Sequence, residues 1–571
     1  MPGAGFSRLV AQAAAGIAVS ALLFQSGAVH VTALNVPGVV TLSIVGTTDL
    51  HGFAFERDGR GGLAILAGYV KNLRHARAAD GGAVLLVDAG DTYQGGIESN
   101  LSEGAIVVDA YNAMGYAAAA MGNHEFDFGA VDVAGRRRSA HDDPRGALKV
   151  ITARARYPVL AANLIDDATG HVVDWPNVKP SVIVEAAGVR VGIIGVMTID
   201  ALRSTLVVNT RGIHVAPLAP TIEAEARRVR AAGAQLVIVT AHAGGNCGRF
   251  DNPVDLSSCD DSAEIFRVAN ALPHALVDVI VAGHTHAAIA HEVNGIPITQ
   301  SFSSGRAFGR VDVSFDRDRG KVADVRMFPP KDLISPAEYE GQPVERDRHI
   351  VEAMAPELAR VRALQATPLR VTADGPIRRV LDDESPLGNL FADAMRAAVP
   401  DGDVALTMAN VPGGLRADLH GGPLTFGELY DVFPFDNQVV NLKLSGADLY
   451  EVVSQEIRRG RRGALGISGI RVRAACSAAG LQVDILRESG ARIAPGDSLV
   501  VVTTEMLASG AAFAQLGPLG GFTSSYAAPV VREVVSDWVE HHAGRLSEHE
   551  FSNPADRRWD APDPTAACLQ Q

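Results

Sequence analysis

Residues 277–286 read "VDVIVAGHTH": a β-branched apolar run that ends, one glycine later, in two imidazoles, His284 and His286. A short apolar run bounded by a turn signal reads as a buried strand. Four other stretches repeat the pattern. "LSIVGTTDLHG" (42–52) ends in Asp49 and His51, and "AVLLVDAGDTYQGG" (83–96) in Asp91. "AAAAMGNHEFD" (117–127) ends in Asn123, His124 and Asp127, and "LVIVTAHAGG" (236–245) in His242. Between the runs lie helical patterns such as "GGLAILAGYVKNLRHARAA", "TIEAEARRVRAAGA" and "SAEIFRVANAL". Strands alternating with helices predict an α/β domain. The carboxyl ends of strands in α/β sheets share one edge, and sites form there. Residues far apart in sequence are therefore expected to converge.

Each piece alone has an ordinary reading. An Asp-x-His pair is a turn, "GDTYQGG" a glycine-rich loop, and His242 a core histidine. Together, each at a strand end, they supply seven donors: Asp49, His51, Asp91, Asn123, His242, His284 and His286. If Asp91 bridges, two ions receive four protein contacts each. Imidazole, carboxylate and amide in one set suit divalent zinc or manganese. No cysteine joins the set, which argues against a structural zinc site.

The chain has 571 residues, too many for one core, so two or more domains are expected. Hydrophobic residues make up 47% and charged residues 20%, the composition of a soluble globular protein. A formal net charge of −14 argues against a basic surface for nucleic acid. After Arg8, "LVAQAAAGIAVSALLF" carries no charge and is followed by small residues, which predicts a secretory leader over 1–33, cleaved after Ala28 or Ala33. The run is short for a membrane span, and no stable membrane insertion is expected. An export signal with four cysteines fits disulfides. Cys247 and Cys259 enclose the polar "GRFDNPVDLSS" and suit a local clip, while Cys476 with Cys568 would tie down the carboxyl-terminal end.

The α/β pattern spans 34–330. The Pro-rich "FPPKDLISPAEYEGQP" (328–343) reads as a boundary, followed by a connecting helix interrupted at Pro356, so that 331–366 forms a linker. A second α/β segment covers 367–545, and 546–571 reads as a polar tail.

In this order, the strand-end motifs resemble those of the calcineurin-like metallophosphoesterases. Three further stretches, "SPLGNLFADAM" (385–395), "NVPGGLRADL" (410–419) and "FGELYDVFPFDNQVVNLKLSGADL" (426–449), resemble the substrate domain of the 5′-nucleotidase family. The resemblance implies a four-layer αββα sandwich for the first domain, which the pattern alone does not separate from an open parallel sheet. A smaller α/β substrate-binding domain would follow. It also implies that Asp49, His51, Asp91 and His286 hold one ion, and that Asp91, Asn123, His242 and His284 hold the other. His124 and Asp127 would be a catalytic dyad, and Glu125 a supporting residue. Asn410, Gly414, Arg416, Phe435, Asn437 and Phe513 would contact the nucleotide, the two rings enclosing the base.

The implied function is an exported hydrolase that removes phosphate from nucleotides by attack of an ion-activated hydroxide. UDP-sugars and nucleoside di- or triphosphates are further substrates to be expected. Two other readings are a 2′,3′-cyclic-nucleotide phosphodiesterase with 3′-nucleotidase activity, and a non-catalytic binding module on the same scaffold. Two positions depart from the family. "ASGAAF" lacks the acid that usually precedes the second ring, and Asp382 and Asp383 stand near a usual arginine, with Arg378 and Arg379 slightly earlier.

Overall fold

The computed structural model describes residues 38–129, 143–203, 205, 207–380, 383–408, 414–435, 437–459, 465–478, 480–509, 513, 516, 529–542, 544–563 and 566–569. The expected leader and Asn410 lie outside these residues.

The amino-terminal domain is built on two sheets. One runs, in spatial order, Lys321–Asp332, Ala307–Asp316, Val39–Thr47, Ala83–Asp88, Ala118–Ala120, Val159–Leu160 and Val178–Lys179. The other runs Ala288–Val293, Ile296–Ser301, Val279–Ala282, Leu236–His242, Val189–Met197 and Ser181–Ala186. Alternate residues of each strand face opposite ways. Leu42, Ile44, Leu85 and Val87 meet Ile193, Ile238, Val279 and Val281 in the core between the sheets. Their neighbours Val45, Val84 and Leu86 face outward under helices that include Leu63–Ala79 and Ala105–Met114. Helices Leu218–Ala231 and Glu264–Ala271 cover the other sheet.

The result is four layers, helix–sheet–sheet–helix. The helices fit by their apolar spacing: Leu63, Leu66, Val70 and Leu73 recur every three or four residues and are buried. The sheets approach closely at Gly46, where a Cβ would come within 2.5 Å of Val281 Cγ1.

Parallel pairing aligns the strand ends that matter. Thr47 lies opposite Asp88, Asp88 opposite Ala119, His242 opposite Met197, and Ala241 opposite Ala282. The polar residues beyond these ends therefore emerge along one edge.

The Pro-rich boundary differs from expectation. Pro329 and Pro330 lie inside the strand Lys321–Asp332. That strand is the outermost of its sheet, and an edge strand tolerates residues that cannot donate to the ladder. The connecting helix Arg348–Gln365 runs through Pro356 and is capped by the Asp347 side chain on the His349 and Ile350 N–H groups. The carboxyl-terminal domain centres on a mixed sheet ordered Val439–Ser445, Ser498–Thr504, Val404–Met408 and Leu465–Ser468. Helix Pro386–Ala397 is capped by Ser385 with Pro386 in its first turn, and buries Leu387, Leu390, Phe391 and Met395.

The expected polar tail instead enters this core. Trp559–Asp560 pairs with Ile470–Ser477, and Trp559 is buried with its indole N–H donated to Leu465 O at 2.9 Å. Both expected disulfides are present, Cys247–Cys259 and Cys476–Cys568. No helix among the described residues is long and apolar enough to cross a membrane.

Candidate metal centre and substrate face

Five of the seven donor positions have left-handed backbones: Asp49 (φ 49°), His51 (φ 50°), Asp91 (φ 55°), His284 (φ 78°) and His286 (φ 55°). Such conformations cost non-glycine residues about 1–3 kcal/mol each and persist where the surroundings impose them, often at functional sites. Here they turn each chain sharply at its strand end, so that side chains from both sheets meet.

Two groups form. Donor atoms of Asp49, His51, Asp91 and His286 lie within 4.8 Å of one another, and so do those of Asp91, His242 and His284. Asp91 belongs to both. Asn123 joins the second group, its Oδ1 2.9 Å from His242 Nε2.

Backbone carbonyls orient the imidazoles. Gln94 O accepts from His51 Nδ1 and Ala89 O from His242 Nδ1, both at 2.9 Å. A carbonyl only accepts, so these Nδ1 atoms carry the protons and the Nε2 lone pairs point into the groups. His51 Nε2 lies 2.8 Å from His286 Nε2, and His242 Nε2 lies 3.1 Å from His284 Nδ1 and 3.2 Å from Asp91 Oδ1.

The electrostatics call for cations. Asp49 and Asp91 are buried, and among the described residues their ion-pair partners are imidazoles, with no lysine or arginine. Burial pushes the Asp49 carboxyl up to about 7, although His242 opposes it. Burial would also raise Asp91, but His242 and His124 outweigh it and hold this carboxyl well below the usual range. Burial pushes His51 down to about 3, which keeps the imidazole neutral. Burial pulls His242 down too, yet Asp91 prevails and lifts it to about 9; a divalent ion on Asp91 would displace that second proton and free the Nε2 lone pair. Lone pairs converging beside buried carboxylates are a donor set that fits two divalent ions.

His124 and Asp127 flank this cluster. His124 Nδ1 lies 2.5 Å from Asp127 Oδ2, its backbone N–H donates to Asp91 Oδ1 at 2.9 Å, and its ring centroid is 5.1 Å from that of His51. Burial alone would push the His124 imidazole down, but Asp127 and Asp91 together hold it up at about 10.

Of two supports, Glu125 is expected from sequence and Thr205 is not. Glu125, buried, accepts three backbone N–H bonds, from Thr92 at 2.6 Å, Gly122 at 2.6 Å and Asp91 at 3.0 Å, and so staples the Asp91 turn to the Asn123 turn. Thr205 Oγ donates to Asp127 Oδ1 at 2.7 Å. Thr205 is 78 positions from Asp127 and sits in no motif, so no local signal marks it.

On the facing domain, Arg416 lies over the Phe435 ring with its guanidinium carbon 4.9 Å from the centroid. Asn437 is buried and donates to Glu505 Oε1 at 2.9 Å. Gly414 is buried at a bend. Phe513 is 1% exposed and belongs to a different core cluster from the one Phe435 lies against. Arg378 is bonded to Glu548, whereas Arg379 donates to Leu415 O at 2.7 Å and sits near enough to Arg416 to add to burial in depressing its pKa.

Comparison with known proteins matches residues 42–288 to the calcineurin-like phosphoesterases and residues 363–515 to the 5′-nucleotidase C-terminal domain. Endonuclease YhcR of Bacillus subtilis is 28% identical over 495 residues, 84% of this chain and 38% of the relative, so the chain spans well under half of that protein. Snake venom 5′-nucleotidase of Gloydius brevicauda is 27% identical over 538 residues, 85% of this chain and 80% of the relative. The crystal structure of a 5′-nucleotidase precursor from Thermus thermophilus superposes with a TM-score of 0.60 at 23% identity, covering 89% of this chain and 97% of that one. At that identity the likeness is one of fold.

Proposed function

Because the chain belongs to the calcineurin-like phosphoesterases that carry a 5′-nucleotidase C-terminal domain, we propose that it hydrolyses phosphate monoesters of nucleotides at the site centred on Asp91. The observation that carries the reading is the membership of Asp91 in both donor groups, with the His124–Asp127 pair alongside. Asp49, His51, Asp91 and His286 would hold one divalent ion, and Asp91, Asn123, His242 and His284 the other, zinc or manganese by donor chemistry. Such a pair supplies Lewis acidity and an activated water at neutral pH.

The side chains do the rest. Asp127 takes the Nδ1 proton of His124 in a hydrogen bond and fixes the ring, so Nε2 is left for the substrate. Held by Asp127, His124 in its protonated form would neutralise charge growing on the phosphoryl oxygens and give its Nε2 proton to the leaving oxygen. Thr205 and Glu125 keep the dyad and the Asp91 turn in place. Phe435 offers a flat face for a base, and Arg416, Asn437, Gly414 and Asn410 are the further substrate contacts of this reading, whereas Phe513, 1% exposed, would have to leave its own core to reach the base. Two disulfides support an exported location, periplasmic or secreted.

A second reading, phosphodiester hydrolysis, is favoured by the relative named an endonuclease, although the net charge of −14 disfavours a polynucleotide substrate. A panel of AMP, UDP-glucose, ATP, 2′,3′-cyclic AMP and single-stranded DNA, assayed with manganese or zinc, separates the readings. Phosphate release from AMP that a chelator abolishes supports the first. Turnover of the cyclic nucleotide or the DNA without AMP hydrolysis supports the second.

A further inference from the structure

We propose that Asn100 is a positioning residue that registers the Phe435 loop of the second domain against the His51 side of the first. This rests on the phosphohydrolase reading above. Asn100 ends the short helix Ile97–Asn100 and is buried. Its Oδ1 accepts the Gly95 N–H at 2.7 Å, and its Nδ2 donates to Pro434 O of the other domain at 3.1 Å. An N–H on one side and a proline carbonyl on the other leave the amide one orientation.

Each end of this bridge leads directly to a site. On the first domain, Gln94, next to Gly95, lends its carbonyl to His51 Nδ1, and Gly96 N–H donates to His51 O at 2.6 Å. Gly95 has φ 142°, and a Cβ there would stand 2.5 Å from His51 O, so the turn closes tightly on His51. On the second domain, Pro434 precedes Phe435 in a loop already held from within. Arg532 donates to Phe435 O at 2.9 Å, and Glu505 accepts from Asn437 Nδ2 at 2.9 Å and from Gln438 N–H at 2.5 Å. Arg360 of the connecting helix donates to Leu101 O at 2.7 Å and steadies the segment next to Asn100. With both loops internally fixed, one side-chain amide sets the distance between the Phe435 ring and the His51 donor group. Substrates in which a flat base and the scissile phosphate are separated by that span are the ones it favours.

The test compares AMP with β-glycerophosphate, which has no base to stack. Asn100→Asp keeps the acceptor for Gly95 but loses the donor to Pro434 and sets a carboxylate against its carbonyl. It is expected to raise KM for AMP about tenfold, with kcat, β-glycerophosphate kinetics and metal content within about twofold of wild type. Asn100→Ala, which frees Gly95 as well, is expected to lose one ion faster to a chelator. Thermal melting checks that both variants fold. Equal losses on both substrates, or an unchanged KM for AMP in Asn100→Asp, overturns the proposal. Wild-type protein inert on both substrates overturns the phosphohydrolase reading, and this proposal with it.

Discussion

His124 is bound at Nδ1 by one carboxylate and at its backbone N–H by another, Asp127 and Asp91. Replacing it with Ala is expected to lower kcat by about 10²–10⁴ while metal content stays unchanged, because no donor group loses a member. Steady-state kinetics with elemental analysis checks this. Glu125→Ala removes the acceptor of three backbone N–H groups, at about 1–3 kcal/mol for each group left dry. A fall in melting temperature together with weakened metal binding is the expected readout, since the Asp91 turn loses its staple. The sequence made the dyad visible because both partners sit in one motif three residues apart. It left Glu125 ambiguous, because its donors are backbone groups that only the folded turn gathers. Thr205 was invisible for the stronger reason that nothing local ties it to Asp127.

The strands illustrate what periodicity can and cannot say. Leu42 and Ile44 face one core and Val45 another, so both faces are apolar and the run shows no alternation. A strand covered by helices on both sides reads the same way, which is why the pattern named α/β but not the second sheet. The resemblance supplied that layer. The loop carrying Phe435 and Asn437 makes its own prediction through Glu505. Burial pushes this carboxyl from 4.5 to about 7 in the folded state. The folded protein therefore holds a proton that the unfolded chain releases first, and stability falls as pH rises from about 4.5 through 7. The full span amounts to about 3 kcal/mol. Glu505→Gln, which stays neutral, is expected to flatten this slope in denaturant titrations between pH 5 and 8. A slope identical to wild type would show that Glu505 ionises freely in the fold.

At the scale of the whole molecule, the last residues have a structural role. Trp559, in the segment read as a polar tail, is buried, and Trp559→Ala is expected to destabilise the carboxyl-terminal domain by about 3–5 kcal/mol in chemical denaturation. Its neighbours are charged and proline-rich, so one buried indole had no periodic partners to reveal it. The two domains are joined by the Asn100–Pro434 hydrogen bond as well as by the connecting helix. The proposed hydrolysis would need Asp91, which belongs to both donor groups, to serve two ions at once. The most direct measurement is metal content by elemental mass spectrometry of the intact, purified protein and of Asp91→Ala. About two divalent ions per wild-type chain are expected, and fewer than about one in the variant. A metal-free wild type, or a variant that loses one ion and keeps the other at full occupancy, would contradict the shared-carboxylate site.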